Sequence, residues 1–107
     1  MTFRVRELPR AEADRRKIAR WLAERSPAGA AAWLQAYDEA IEALAQMPTR
    51  HPLAAENDDD TTEELRHFLF KTAHGHTYRG IFTIDGNEVL VLRVRGPGQA
   101  AVHPDEL

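Results

Sequence analysis

The chain lacks several sequence features, and each absence excludes a class of protein. It contains no cysteine, which excludes disulfides and thiolate chemistry. It has no apolar run of membrane-spanning length and no leader with a basic start and an apolar core. We therefore expect a cytoplasmic protein that does not enter a membrane. A length of 107 residues suits a single domain, residues 1–107, built around one core.

Charge is present but is strongly segregated along the chain, whose net charge is −3. Residues 1–25 hold eight Lys/Arg against four Asp/Glu, whereas residues 56–64 hold six acids and no base. The strand-like region that follows is basic again, and a basic sheet on an acidic chain predicts a surface that meets an anionic partner. Its cations are Arg66, Lys71, Arg79, Arg93 and Arg95.

The first half of the chain predicts a strand followed by two helices. Apolar and basic residues alternate over residues 3–6, which predicts a short strand within residues 2–8. Pro9 suits the first turn of a helix, which the apolar periodicity carries to about Arg25. Ser26 and Pro27 then predict the cap and first residue of a second helix that ends near Met47. Two helices joined by so tight a turn form a helical hairpin, and we expect Trp21, Trp33 and Tyr37 in its core.

The second half predicts a loop, three strands and a tail. Residues 48–62 are proline-rich and acidic, and we expect an irregular, solvated loop there. Three strand-like runs follow, with a hairpin turn at residues 85–87. Residues 96–98 end the last run, and the composition of residues 99–107 indicates a polar tail. The predicted fold class is α+β with the order β-α-α-β-β-β: an antiparallel sheet with the helical hairpin on one face and the other face free.

Alternation along the last strand divides its side chains between two faces. Arg93 and Arg95 share one face with Val89 and Val91, and we expect that face to point away from the helices. A solvated surface and a contact with a partner both remain open for these arginines. Arg79 lies on the same face of its strand as Ile81 and Thr83, but the pattern does not show whether that face meets the helices. The face expected to meet the helices carries Leu90, Leu92 and Val94.

These elements, in this order, resemble the RelE/ParE family of toxins from bacterial type II toxin–antitoxin systems. The resemblance is most specific at His51-Pro52, at Tyr78-Arg79 and in the run VLVLRVRG at residues 89–96. It implies a small toxin without a cofactor that a cognate antitoxin holds inactive. It also implies one of two targets, because some members cut mRNA on the ribosome and others poison DNA gyrase. Self-association is left open.

The resemblance suggests roles for individual residues. Arg79 falls where nuclease members place an arginine on the scissile phosphate, and Lys71 and Arg66 fall on the strand where such members carry lysines. After the last strand the sequence departs from the pattern of the nuclease members. Residues 97–99 are Pro-Gly-Gln instead of basic residues, and the C-terminal segment has His103 but no tyrosine. This departure favours gyrase or another target over mRNA cleavage.

RNA cleavage would need a base, an acid and cations on the phosphate. Histidine supplies the first two near neutral pH, and His74 and His76 directly precede Arg79. The His74-Gly75-His76 pair lacks a third ligand at suitable spacing, so we expect no metal. The alternatives are a non-toxic family member that acts as a protein-interaction module and an unrelated small α+β domain. The catalytic candidates are Arg79, His74, His76 and Lys71, and the binding candidates are Arg66, Arg93, Arg95, Gln99 and His103.

Overall fold

The computed structural model describes residues 2–59 and 63–107 and follows the predicted order of elements. Residues 60–62 of the predicted loop lie outside the described residues. None of the helices in the described part of the chain is long and apolar enough to cross a membrane. The elements are β1 (Arg4–Glu7), α1 (Pro9–Arg25), α2 (Pro27–Gln46), a 3-10 turn (Pro48–Arg50), β2 (Arg66–Phe70), β3 (Tyr78–Asp85), β4 (Glu88–Arg95) and a second 3-10 turn (Pro104–Glu106).

The helical hairpin forms where the local signals predict it. Pro9 is the first residue of α1, where its missing N–H costs no hydrogen bond. The Ser26 hydroxyl caps α2 by accepting the Gly29 N–H at 3.0 Å, and Pro27 opens that helix. Trp33 and Tyr37 are buried as expected, but Trp21 is 52% exposed, so the prediction of a core position for Trp21 was wrong.

The sheet has the order β1-β4-β3-β2 and is mixed, where we expected an antiparallel one. The meander β2-β3-β4 is antiparallel, whereas β1 pairs parallel with β4. The parallel pairing of β1 with β4 follows from the end of the sheet at which β1 and β2 begin. Phe3, just before β1, donates its N–H to Ala45 O near the end of α2. Arg66, at the start of β2, bonds Thr49 O just after α2. Strands β1 and β2 therefore start at the same end, and β4, two reversals after β2, runs parallel to β1.

A β-bulge in β4 overturns the predicted division of its faces. Phe82 pairs with Val91 and Ile81 pairs with Arg93, so Leu92 is an extra residue in β4. The valines at 89, 91 and 94 all pack in the core beneath the helices, whereas Leu92 packs on the opposite face. The prediction was right for Val94 and wrong for Leu92, and it was also wrong for the two valines at 89 and 91. Strict alternation cannot anticipate an inserted residue.

The sheet face opposite the helices is covered, and not free as predicted. A second apolar cluster lies there, formed by Ala54, Leu65, Ile81, Leu92 and Val102. Ala54 belongs to the loop that follows α2, and Val102 belongs to the C-terminal tail, so both segments contribute to a core. Because both segments are mostly polar, the sequence did not indicate that Ala54 and Val102 would be buried. This covered face is where Arg79 lies.

Candidate functional site: an occupied arginine face and an apolar groove

Arg79 lies on the covered face and is bound there by Glu56. Its two terminal nitrogens donate to the two carboxylate oxygens of Glu56, with Nη1–Oε1 at 2.9 Å and Nη2–Oε2 at 2.5 Å. The Glu56 side chain has no exposed surface, and it also accepts the Val102 N–H at 2.9 Å. A bidentate fork of this kind uses the geometry that an arginine would otherwise offer to a phosphate. Glu56 therefore stands where an anionic ligand of Arg79 would stand.

The charges of this pair are fixed at physiological pH. Burial raises the pKa of the Glu56 carboxyl, but the hydrogen bonds from Arg79 and from the Val102 N–H outweigh it and bring the pKa down to about 2. The hydrogen bond with Glu56 likewise raises the pKa of Arg79. An ionised carboxylate without contact with water must keep its partner, so Arg79 is held by a strong internal interaction.

The other predicted arginines also have internal acceptors. Arg93 donates to both oxygens of Asp14, at 2.7 and 3.0 Å, and to Glu106 O. Arg95 donates to Ala100 O at 2.7 Å. Arg66 donates to the Glu64 carboxylate and to main-chain oxygens after α2, including His51 O at 2.5 Å. Acids of the chain thus pair with Arg66, Arg79 and Arg93, whereas Arg95 donates to a main-chain carbonyl. Roles for these arginines in partner binding stay predictions.

The predicted histidines lie apart from Arg79. His74 and His76 lie in the β2–β3 connection and line a groove on the helix side of the sheet, together with Gln99. Arg79 is not among the lining residues, and its strand neighbour Tyr78 faces the groove instead. Lys71 is exposed just after β2, and His103 is exposed, with its Nδ1 3.5 Å from an Asp105 oxygen. The fold does not bring the four catalytic candidates into one site.

The groove has a volume of about 660 Å³ and lies between the end of α1, the start of α2 and the turns that follow β2 and β4. Its apolar side chains are Ile18, Trp21, Leu22, Trp33, Tyr78 and Pro97.

Among the described residues that line this groove, the charged side chains Lys17 and Arg25 are both cationic. Its ionisable lining residues other than Tyr78 are Lys17, Arg25, His74 and His76, and no acid is found among the described residues that line it. Arg25 stacks over the Trp21 ring at 3.7 Å from its centroid, which places a cation beside an exposed aromatic surface. The buried Trp33 indole N–H has no acceptor within the described ranges. An apolar wall with a cationic rim suits a partner with an apolar face and acidic flanks.

Sequence reasoning missed Glu56 as the partner of Arg79. Glu56 sits in a run of six acids, and nothing local marks it as the buried one. Burial lowers the pKa of His51 and His67, and the neighbouring Arg50 and Arg79, respectively, lower it further. Both imidazoles are therefore neutral near pH 7. Within residues 2–59 and 63–107 no group of three or more His, Cys, Asp or Glu side chains is arranged to hold a metal.

Comparison with known families decides the identity of the fold. A family model described as the ParE toxin of the type II toxin–antitoxin system parDE matches residues 5–100. The chain belongs to the ParE toxin family. This match covers both helices and all four strands apart from Arg4, the first residue of β1, and it ends at residue 100.

The fold of this ParE-family chain is also found in a solved structure. It is similar to a chain in the crystal structure of the RelBE2 toxin–antitoxin complex from Mycobacterium tuberculosis, with a TM-score of 0.53 and 24% sequence identity. The similarity covers 90% of this chain and 99% of that chain. At this level of identity the likeness concerns the fold alone. No curated protein sequence matches the chain significantly.

Proposed function

We propose that this ParE-family chain is the toxin of a type II toxin–antitoxin pair, that it arrests growth by binding DNA gyrase in the cytoplasm, and that a cognate antitoxin neutralises it. Family membership supports the toxin role. The choice of a gyrase target over mRNA cleavage rests on one observation, the bidentate Arg79–Glu56 pair.

This pair argues against phosphate chemistry for a physical reason. Stabilising a phosphorane requires a cation whose donors are free to meet the transferring phosphate. In this chain the terminal nitrogens of Arg79 meet Glu56, and the acid–base candidates His74 and His76 line the groove instead. A toxin that binds a protein target requires no such constellation.

The groove supports an antitoxin partner of definite chemistry. Its volume of about 660 Å³ lies within the range of ligand pockets and its walls are largely apolar, which supports the binding of an apolar surface. We propose that an amphipathic segment of the antitoxin lies there, with apolar side chains against the aromatic residues Trp21, Trp33 and Tyr78. Acidic residues of the segment would meet Lys17 and Arg25 on the rim.

Controlled expression of the chain alone tests this proposal. We expect induction to stop growth, plasmid topoisomers to shift towards the relaxed form, and primer extension on abundant mRNAs to show no new 5′ ends. Co-expression of the protein encoded by the adjacent reading frame should restore growth.

The other outcomes separate the alternatives. New 5′ ends that appear within minutes, with supercoiling unchanged, would establish the nuclease activity and overturn the gyrase target. Normal growth with abundant soluble chain, together with binding to the adjacent gene product, would favour a non-toxic interaction module.

A further inference from the structure

The groove on the helix side has the size and the walls of a small-molecule pocket. Its volume of about 660 Å³ is that of pockets which enclose small organic ligands. Three aromatic rings from separate parts of the chain line it, Trp21 on α1, Trp33 on α2 and Tyr78 at the start of β3. Such walls favour a flat aromatic body, because aromatic rings bury a large apolar area and pack on one another.

Trp33 is the buried member of these rings, and its hydrogen-bond donor is unused. The side chain is 2% exposed and packs against Tyr37, Phe70 and Tyr78, with ring centroids 5.3 to 6.0 Å apart. Its indole Nε1–H has no acceptor in the described part of the chain. Buried donors ordinarily have a partner, and leaving one unmatched costs free energy. An acceptor atom in the body of a ligand would satisfy this group.

The rim of the groove favours a negative charge on the ligand. Lys17 and Arg25 are exposed there, and Lys17 has no ion pair among residues 2–59 and 63–107. The Arg25 guanidinium lies over the Trp21 ring, so a cation and an aromatic wall stand side by side. The acid nearest to this rim is Glu24, 3.9 Å from Arg25 Nη1, and it does not line the groove. A carboxylate that extends from a ligand in the groove would therefore meet two cations.

We propose that this groove is a small-molecule site for a flat aromatic carboxylic acid. The aromatic body would lie against the rings of Trp21, Trp33 and Tyr78, and an acceptor atom in that body would take the Trp33 indole N–H. The carboxylate would meet Lys17 and Arg25. The site belongs to the folded chain and does not depend on the toxin role. Because the proposed antitoxin segment would use the same walls, ligand and antitoxin would compete, and only that consequence rests on the proposed function.

Nitrogen-15 NMR of the full-length chain tests recognition by the Trp33 N–H, because the chain has two tryptophans and hence two indole signals. The Trp21→Phe variant, changed at the exposed ring, assigns them. The probe is 9-oxofluorene-2-carboxylate, whose ring ketone is an acceptor, and fluorene-2-carboxylate is the same ligand without it. We expect the ketone probe alone to move the Trp33 indole proton downfield, and to bind about two- to tenfold more tightly, which is the worth of one hydrogen bond.

The neutral probe 9-oxofluorene-2-carboxamide tests recognition of charge. We expect the carboxylate to bind about three- to fivefold more tightly than the carboxamide at low salt, with the difference shrinking as salt is added. Lys17→Met should remove much of this preference. Arg20→Met is the matched control, because Arg20 is an exposed cation of the same helix that does not line the groove, and it should leave the preference nearly unchanged.

Several results would overturn the proposal. One is an identical Trp33 indole shift with both carboxylates, and another is equal binding of carboxylate and carboxamide. A third is a shift of the Gly86 amide, in the turn between β3 and β4, as large as those of Gly29 and Gly75 in the groove, since binding would then be unspecific. A fourth is a change of the groove signals on dilution without a probe, which would make a second copy the occupant.

The site and the toxin role can fail separately. Growth arrest by a chain that does not bind the ketone probe would refute the site and leave the toxin role standing. Specific binding of the probe by a chain that does not arrest growth would support the site and count against the toxin role.

Discussion

Arg79 is the residue on which the functional interpretation depends, because its pairing decides whether it can meet a phosphate. Its partner Glu56 is buried and accepts two hydrogen bonds from Arg79 in addition to the one from the Val102 N–H. Breaking one side of such a buried pair leaves the other charge uncompensated. The pair therefore has a structural role that can be measured separately from toxicity.

Glu56→Gln should destabilise the fold by about 3 kcal/mol, because the partly buried guanidinium of Arg79 loses its counter-charge. Glu64→Gln is the matched control, since Glu64 pairs with Arg66 but its side chain is 61% exposed, and this change should cost less than about 1 kcal/mol. Urea unfolding curves of the three proteins measure both effects. Equal stability of the two variants would show that the Glu56 pair contributes no more than a surface pair.

The Glu56 carboxylate should also make the stability of the fold depend on pH. The pKa of Glu56 lies near 2 in the folded chain and is ordinarily 4.5, so its contribution is complete above pH 4.5 and is lost as the pH falls towards 2. The total change is about 3 kcal/mol. Protonation of His51 and His67 also favours unfolding below their ordinary pKa of 6.5. The His51 effect is common to wild type and Glu56→Gln, whereas Glu56 partly offsets the lowering of the His67 pKa, so the comparison is made below pH 4.5, where both histidines are protonated in the unfolded chain. Unfolding free energies from pH 7 to pH 2.5 should therefore converge between the two proteins below pH 4.5. Parallel curves would contradict this assignment.

For individual residues, the sequence shows which side chains of a strand share a face but not which distant side chains they contact. Alternation correctly groups Arg79 with Ile81 and Thr83 on one face of β3. It cannot select Glu56 from an acidic run 23 positions away, because that choice depends on how the loop crosses the sheet. Nor does it show that the histidines before Arg79 turn to the helix side.

Among the elements, β3 and β2 meet at a position that requires glycine. Gly80 pairs with Phe68, and a Cβ at this position would overlap the Phe68 ring. Gly80→Ala should therefore cost about 2 kcal/mol of stability through overpacking. In a Phe68→Leu background, where the ring is gone, the same change should cost clearly less. A double-mutant cycle by thermal or urea unfolding measures the difference, and identical costs in the two backgrounds would refute the close packing.

The helical hairpin supplies the cationic rim of the groove, and charge reversal tests its role. Lys17→Glu should slow association with the antitoxin about three- to tenfold at low salt, with the difference shrinking as salt is added. Arg20→Glu changes the net charge by the same amount on a part of α1 that does not line the groove, and should have a smaller effect. Surface plasmon resonance at two salt concentrations compares them. Equal slowing by both variants would place the antitoxin elsewhere.

Elements follow from the sequence where their signals are local. The Ser26-Pro27 cap, the Pro9 start and the turn at residues 85–87 are each set by a few neighbouring residues, and each lies where predicted. The parallel pairing of β1 with β4 and the bulge at Leu92 are set by contacts between distant segments. No local pattern in β4 marks Leu92 as the inserted residue.

For the molecule as a whole, the sheet is enclosed between two unlike layers. The helical hairpin covers one face, and the loop after α2 together with the C-terminal tail covers the other. Acids from outside the sheet pair with three of its arginines, Glu56 with Arg79, Glu64 with Arg66 and Asp14 with Arg93, in a chain whose net charge is −3. Membership of the ParE family shows the toxin fold, and the occupied arginine face supports the proposed function, a toxin that acts by binding and not by cutting RNA.

Growth after induction of the double variant Glu56→Gln, Arg79→Met tests this central claim most directly. Removing both charges avoids an unpaired ion, and the amide oxygen that Glu56→Gln introduces still accepts the Val102 N–H, so the variant should remain folded. At equal soluble levels, the account predicts that the double variant arrests growth as strongly as the wild-type chain. A folded double variant that leaves growth unaffected while the wild type arrests it would show that Arg79 acts on the target, and would contradict the account.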